Sequence, residues 1–365
     1  MIRSALLPYF LAGTVFLSGC RSVGPTALQQ SHSDFNCAIA HSNDEQLLLN
    51  LVRMRYLETT LFLEVGTITD SRSRSCRVGV DGMKLFVDPS ERIMELTPTA
   101  GASISQMPTV VYSPMQGQTF VKRLFSPMPL PVLLSLIQSG WSASRVFGIF
   151  VESVNNLQNA PTASGPTPAR VPVYQDFYRM AQLFTRLLWD GSLTMGMSAG
   201  DPRQVVLCFF DYGSNRQDIC ELKELLDLPQ DQDRFVFREN FFYVAEGELE
   251  LRLRARSVQG AMFYLANGVR IPPEHCDAGV VAVTRYPSGS AFDWSDLLGQ
   301  LFTVHCSKER PENAFVSVRH RDYWFYVEDS DITSKATFML LANAFSLQAG
   351  DAGIIAPTLA ISTAR

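Results

Sequence analysis

Apolar residues in this chain follow two periods, and the way the two alternate limits the fold more than any other feature. Residues 174–190 put Phe177, Ala181, Phe184, Leu187 and Leu188 on one stripe and Asp176, Arg179, Gln182 and Arg186 on the other, the 3.6-residue repeat of an amphipathic helix. Gly191 suits the stop. Leu249, Leu251 and Leu253 instead alternate with Glu250, Arg252 and Arg254, the two-residue repeat of a half-exposed strand. Further helices are expected over 43–56, 118–125, 130–139, 143–155, 216–228, 257–267, 292–301 and 330–348. Strands are expected over 61–69, 204–211, 235–237, 241–245, 280–285 and 302–306, with a hairpin of 314–318 and 323–327. Residues 76–87 read as a strand or hairpin turning at Asp81-Gly82, and Val110-Val111-Tyr112 as a short strand. No steady strand-helix-strand rhythm joins these elements. The expected class is therefore α+β, with mixed helices and mainly antiparallel strands in one large or two packed domains.

Composition narrows the function classes. Hydrophobic residues make up 46% of the 365 and charged residues 18%, which is globular and not disordered. A net charge of −5, without a run of Lys or Arg, argues against nucleic acid as a partner. Pro161, Gly165, Pro166, Pro168 and Pro172 sit among Ser, Thr and Ala in 159–172. That stretch reads as a linker or long surface loop between an N-terminal domain, 35–158, and a C-terminal domain, 173–365.

The N-terminus carries a motif with a defined chemistry. Arg3 precedes an apolar run, which ends in Leu17-Ser18-Gly19-Cys20. The pattern looks like a lipobox: residues 1–19 as a signal peptide, small residues beside the cut, and Cys20 as the lipidated thiol. The run is about 13 residues long and contains Pro8, short of the roughly 20 that a spanning helix needs. Residues 20–34, polar and containing Gly24-Pro25, read as a tether. With Cys20 acylated, Cys37, Cys76, Cys208, Cys220, Cys276 and Cys306 remain, and sequence cannot choose their pairing.

Two resemblances extend this reading. Cys20-Arg21-Ser22-Val23-Gly24-Pro25 resembles the start of many Gram-negative outer-membrane lipoproteins, and the absence of Asp after the cysteine implies an outer-membrane location facing the periplasm. Asp44-Glu45-Gln46-Leu47-Leu48-Leu49-Asn50-Leu51-Val52-Arg53 with Arg55-Tyr56, Pro108-Thr109-Val110-Val111-Tyr112-Ser113-Pro114 with Gly117, and Trp324-Phe325-Tyr326 leading into Ser334-Lys335 are similar to a family of uncharacterised bacterial lipoproteins of unknown function. The resemblance implies an anchored α+β body and transfers no activity, cofactor or site residue.

Candidate chemistry is sparse. Gly196-Met197-Ser198-Ala199-Gly200 matches the nucleophile-elbow pattern, which needs a strand before the serine and a helix after it; here Asp201-Pro202 and a strand-like run come next. Asp227 and His275 would complete the Ser-Asp-His order. His305-Cys306 and His320 would have to meet across a sheet to hold a metal, and none of the five histidines has a ligand-spaced partner. Asp322, Glu328, Asp329 and Asp331 lack the spacing of a calcium loop and suit the start of the last helix. Asn50 and Arg53 share one side of a buried helix, where satisfying backbone groups is the commoner use of such a pair. The 24 Phe and the apolar segments within 130–154 suit a core or an apolar ligand site. No metal, cofactor or catalytic set is expected. The expectation is a lipid-anchored envelope protein with a non-catalytic interaction or assembly role, its partners the membrane and other envelope proteins. An anchored serine hydrolase using Ser198 and a lipid or apolar-ligand binder are the alternatives.

Overall fold

The computed structural model describes residues 25–85, 94–166, 168, 170–198, 204–239 and 250–349. The signal segment, Cys20 and the expected strand 241–245 lie outside them. The class is α+β. Two compact units partition the described chain, one holding 25–61 and 116–349, the other 62–115. The divisions fall at 61/62 and 115/116, so 159–172 lies inside one unit and does not separate two domains.

The smaller unit is a hairpin of β1 (Leu63–Leu85) and β2 (Met94–Pro114), paired antiparallel from Leu63↔Pro114 to Leu85↔Met94. The expected turn at Asp81-Gly82 is instead a bulge, where pairing skips from Val80↔Pro98 to Met83↔Leu96. An Asp-Gly pair satisfies either geometry, since Gly in a strand marks an irregularity as readily as a reversal.

In the larger unit, α1 runs from Pro25 to Arg55. Proline fits a first helical position, where its missing N–H costs nothing, and no Gly or Pro interrupts residues 26–55. Residues 25–34, expected as tether, are therefore helix, and Asn43, the expected start of the helix, sits exposed in its middle. The final turns enter the core, with Leu48, Leu51 and Val52 fully buried. Asn50, also fully buried, donates from Nδ2 to the Leu61 carbonyl at 2.7 Å and accepts the Leu61 N–H on Oδ1 at 3.1 Å. It clamps the reversal after the helix, the structural use expected of it.

The helices α2 (Gln118–Phe125), α3 (Leu130–Gln138) and α4 (Ala143–Phe150) match the sequence pattern. The last is shorter than expected: its continuation becomes β3 (Val151–Val154), which turns back through β4 (Leu157–Gln158). Two β-branched valines favour the strand, and the pairing partner is distant in sequence. The next elements are α5 (Gln175–Trp189), β5 (Leu193–Met197), β6 (Val205–Phe209), α6 (Arg216–Leu225), β7 (Arg234–Glu239) and β8 (Glu250–Ala255). They complete a six-stranded sheet, β4-β3-β8-β7-β6-β5, antiparallel except between β7 and β8.

The stripe of α5 is the clearest match to sequence. Phe177, Ala181, Phe184 and Leu187 are buried, and Phe184 meets Phe147 of α4 edge-on at 5.3 Å. Each large side chain buried this way contributes about 1.5–3 kcal/mol. On its polar side Arg179 forms a two-bond pair with Glu221 of α6, at 2.5 and 2.7 Å. In β8, Leu251 and Leu253 point inward and Arg252 and Arg254 outward, as their alternation requires.

Residues 159–164 are neither linker nor surface loop. Pro161–Ser164 is a 3-10 turn, and Asn159, Ala160 and Ala163 are buried. The cause is Arg256, fully buried just after β8. Its guanidinium donates to the carbonyls of Ile149 at 3.2 Å, Val151 at 2.8 Å and Asn159, and to Ser164 Oγ at 3.0 Å. It also lies 4.0 Å from the Tyr264 ring centre. The prolines prevented helix; the cation drew the carbonyls inward.

Beyond it come α7 (Val258–Ala266), α8 (Pro273–Asp277) and α9 (Ser295–Leu298). The expected strand 280–285 is irregular, contributing a single bridge, Arg285↔Ala291. Gly268 ends α7 where a Cβ would stand 2.6 Å from the Phe302 carbonyl. A second sheet has the order β10 (Ala314–His320), β11 (Tyr323–Glu328), β9 (His305–Ser307), all antiparallel. The last helix, α10 (Ile332–Ala349), is capped by Asp331, whose carboxylate accepts the Ser334 N–H at 3.0 Å and hydroxyl at 2.6 Å. Phe338 and Leu341 are buried, and Ile332 is 69% exposed and faces away from the core. Among the described residues no helix is long and apolar enough to cross a membrane.

Candidate functional site

The residues that sequence grouped for hydrolysis are held apart by different elements. Ser198 comes directly after β5, and its N–H donates to the Gln204 carbonyl at 2.9 Å, extending the β5–β6 pairing. The next described element is β6, antiparallel to β5, where a nucleophile elbow needs a helix. Asp227 stands at the end of α6 with φ +56° and faces a polar groove shared with Asn155, Arg252 and Arg254. His275 lies in α8, with Nδ1 2.7 Å from the Tyr56 hydroxyl.

The metal trio is also dispersed. His305 stacks on Tyr326 at 5.6 Å, whereas His320 approaches Glu58 to 3.2 Å. The strand β11 separates them, pairing Phe325 with Cys306 and Tyr323 with His320. Among the described residues no group of three or more His, Cys, Asp and Glu side chains could hold a metal ion. The acidic patch is consumed locally: Asp329 pairs with Lys335 at 2.6 Å, and Asp331 caps α10. Cys37, Cys208, Cys220, Cys276 and Cys306 are all free thiols.

What the fold does assemble is a polar and aromatic cluster around Tyr56, one residue past α1. Its ring meets His275 at 5.7 Å, His320 at 5.3 Å and Phe325 at 6.1 Å, and Arg321 lies 4.8 Å above it. Burial pushes the phenol pKa well above its ordinary value, so the hydroxyl stays protonated, within hydrogen-bond reach of His275 Nδ1. Glu58 takes both Arg321 Nε at 2.9 Å and Nη2 at 2.7 Å, and faces His320. Burial lowers the His320 pKa, against an opposing pull from Glu58. At the margin the Tyr323 hydroxyl donates to Glu274, which also faces Lys308 at 3.6 Å. That hydrogen bond holds the Glu274 carboxyl below its usual range.

Chemically, the cluster ties the end of α1 to α8 and to the β10–β11 turn. A phenol that holds its proton is a hydrogen-bond donor and not a nucleophile or base near neutral pH. The cluster is not legible in the sequence, because Tyr56 and His275 are 219 positions apart and no pattern read there joins the two. The preceding residue, Arg55, turns the other way. Its Nη1 donates to the Ala282 carbonyl at 2.8 Å, and its Nε is sealed from solvent without an acceptor. No family model, curated protein or solved structure matches this chain.

Proposed function

We propose that the protein is a lipid-anchored lipoprotein of the cell envelope, held at the outer membrane facing the periplasm through Cys20, and that its role is non-catalytic interaction with other envelope proteins. The observation that carries this reading is the lipobox Leu17-Ser18-Gly19-Cys20 with a continuous helix beginning five residues later at Pro25. Ser33, Asp34, Asn36, Cys37, Ala38, Ala40, His41 and Asn43 are exposed, and the first buried side chain among the described residues is Leu47. At 1.5 Å per residue, the stretch before Leu47 spans roughly 30 Å. It is a stiff spacer between anchor and body. An interaction role is further supported by an exposed aromatic corner: Trp189, 93% exposed, ends α5, and Phe210 and Tyr212 stack at 6.5 Å beyond β6.

The anchor is tested by fractionation and mass analysis. Wild-type protein is expected in the membrane fraction with an acylated Cys20 at its mature N-terminus, and Cys20→Ala in a form without acyl chains. An unprocessed Met1, or a Cys20 without fatty acid, overturns the anchor. A photo-crosslinker placed at Trp189 in intact cells tests the interaction surface, with covalent adducts to discrete envelope proteins as the expected result.

A further inference from the structure

Between α1, the segment after α7 and the loop leading into α9 lies a cleft of about 550 Å³, within the range of small-molecule sites. Its apolar lining includes Val269, Phe292, Trp294 and Phe302. The indole is fixed, its Nε1 donating to Thr284 Oγ1 at 3.3 Å. The lining carries two guanidiniums, Arg55 and Arg270, and one carboxylate, Asp293. That carboxylate is already engaged by the Ser295 N–H at 2.8 Å.

Arg55 is the informative residue. Among the described residues no carboxylate forms an ion pair with it, its Nε has no acceptor, and the groups acting on its charge are the Cys276 thiol and the Tyr56 phenol. Burial accordingly lowers its pKa. A desolvated cation without a counter-ion is costly, and the cost is relieved by an anion entering from the cleft. Arg270 is exposed at the same cleft and supplies a second fork for a planar or tetrahedral anion.

We propose that this cleft binds a small organic anion, with a carboxylate or phosphate group taken by Arg55 and Arg270 and an apolar or aromatic body laid against Phe292, Trp294 and Phe302. The site does not depend on the anchor, so the two proposals fail separately.

The test is calorimetric titration of the full chain, reconstituted in nanodiscs of zwitterionic lipid, with phenyl phosphate, phenylacetate, inorganic phosphate and benzyl alcohol. One of the two aromatic anions is expected to bind at one site, about tenfold or more tighter than inorganic phosphate or benzyl alcohol, and the tighter of the two identifies the head group. Arg55→Gln and Arg270→Gln are each expected to weaken it by about tenfold or more. Arg270 is exposed, so its variant keeps the fold even where Arg55→Gln does not. Absence of binding by both aromatic anions overturns the proposal. So does equal binding of benzyl alcohol or of inorganic phosphate, or an Arg270→Gln affinity equal to wild type.

Discussion

Replacing Arg256 tests whether geometry or charge organises the larger unit. The guanidinium is fully buried and has no carboxylate partner among the described residues; carbonyls and one hydroxyl satisfy it. Arg256→Met removes the burden of burying a charge but strands acceptors. The Val151 carbonyl keeps Asn159 Nδ2 at 2.8 Å, and the Ala160 carbonyl keeps the Ala163 N–H at 2.9 Å. The Ile149 and Asn159 carbonyls lose the donor they have, about 1–3 kcal/mol each. The stacked contact with Tyr264 adds about 2 kcal/mol. Several kcal/mol regained from desolvation offset part of this, leaving a net loss of roughly 2–4 kcal/mol. Arg256→Lys is expected to be worse, because the buried charge stays while the planar fork is lost. Urea unfolding monitored by far-ultraviolet circular dichroism reads both variants. A lysine variant more stable than the methionine variant would refute the argument, since charge and not the five-donor geometry would then hold the 159–164 turn.

Three further outcomes rest on the packing. Gly268→Ala puts a methyl 2.6 Å from the Phe302 carbonyl and 3.2 Å from the Leu265 carbonyl, so backbone must move; thermal melting is expected to show a loss of about 1–3 kcal/mol, and an unchanged midpoint would refute the close approach. Asp331→Ala removes the cap of α10 and is expected to cost about 1 kcal/mol, against about 0.5 kcal/mol or less for Asp329→Ala, whose pair with Lys335 is exposed; equal losses would contradict the assignment of the cap. Burial lowers the pKa of both His320 and His305, so the unfolded chain takes up protons first as pH falls below about 6.5. Stability is then unaffected above that pH and decreases on acidification below it, and His320→Gln is expected to reduce the slope; a rise in stability on acidification would reverse the sign of the argument.

Local pattern was enough wherever one element's own side chains decide its state. The α5 stripe located Gln175–Trp189 to within a residue at each end, and the alternating leucines oriented β8. It failed where a distant residue decides. The Asn159 carbonyl meets Arg256 97 positions away, and nothing within the Pro-rich stretch announces that contact. Residues 33–42 of α1 bury no side chain fully, so they carry no full apolar stripe that would extend the helix expected from 43 back toward Pro25. Ser198 shows the converse: five residues matched a motif whose meaning depends on a helix coming next, and the next described element is the antiparallel strand β6. The candidate site was illegible for the same reason as the turn, since Arg55 meets the Ala282 carbonyl across 227 positions.

The helix α1, proposed above as a spacer, is also a core element, and that has a mechanical consequence. Because the rod that starts at Pro25 ends among Leu48, Leu51 and Val52, torque applied at its N-terminal end reaches the hydrophobic interior along one continuous helix. Under the proposed anchoring, the grip on that end would set the angle at which the larger unit is displayed as well as its height.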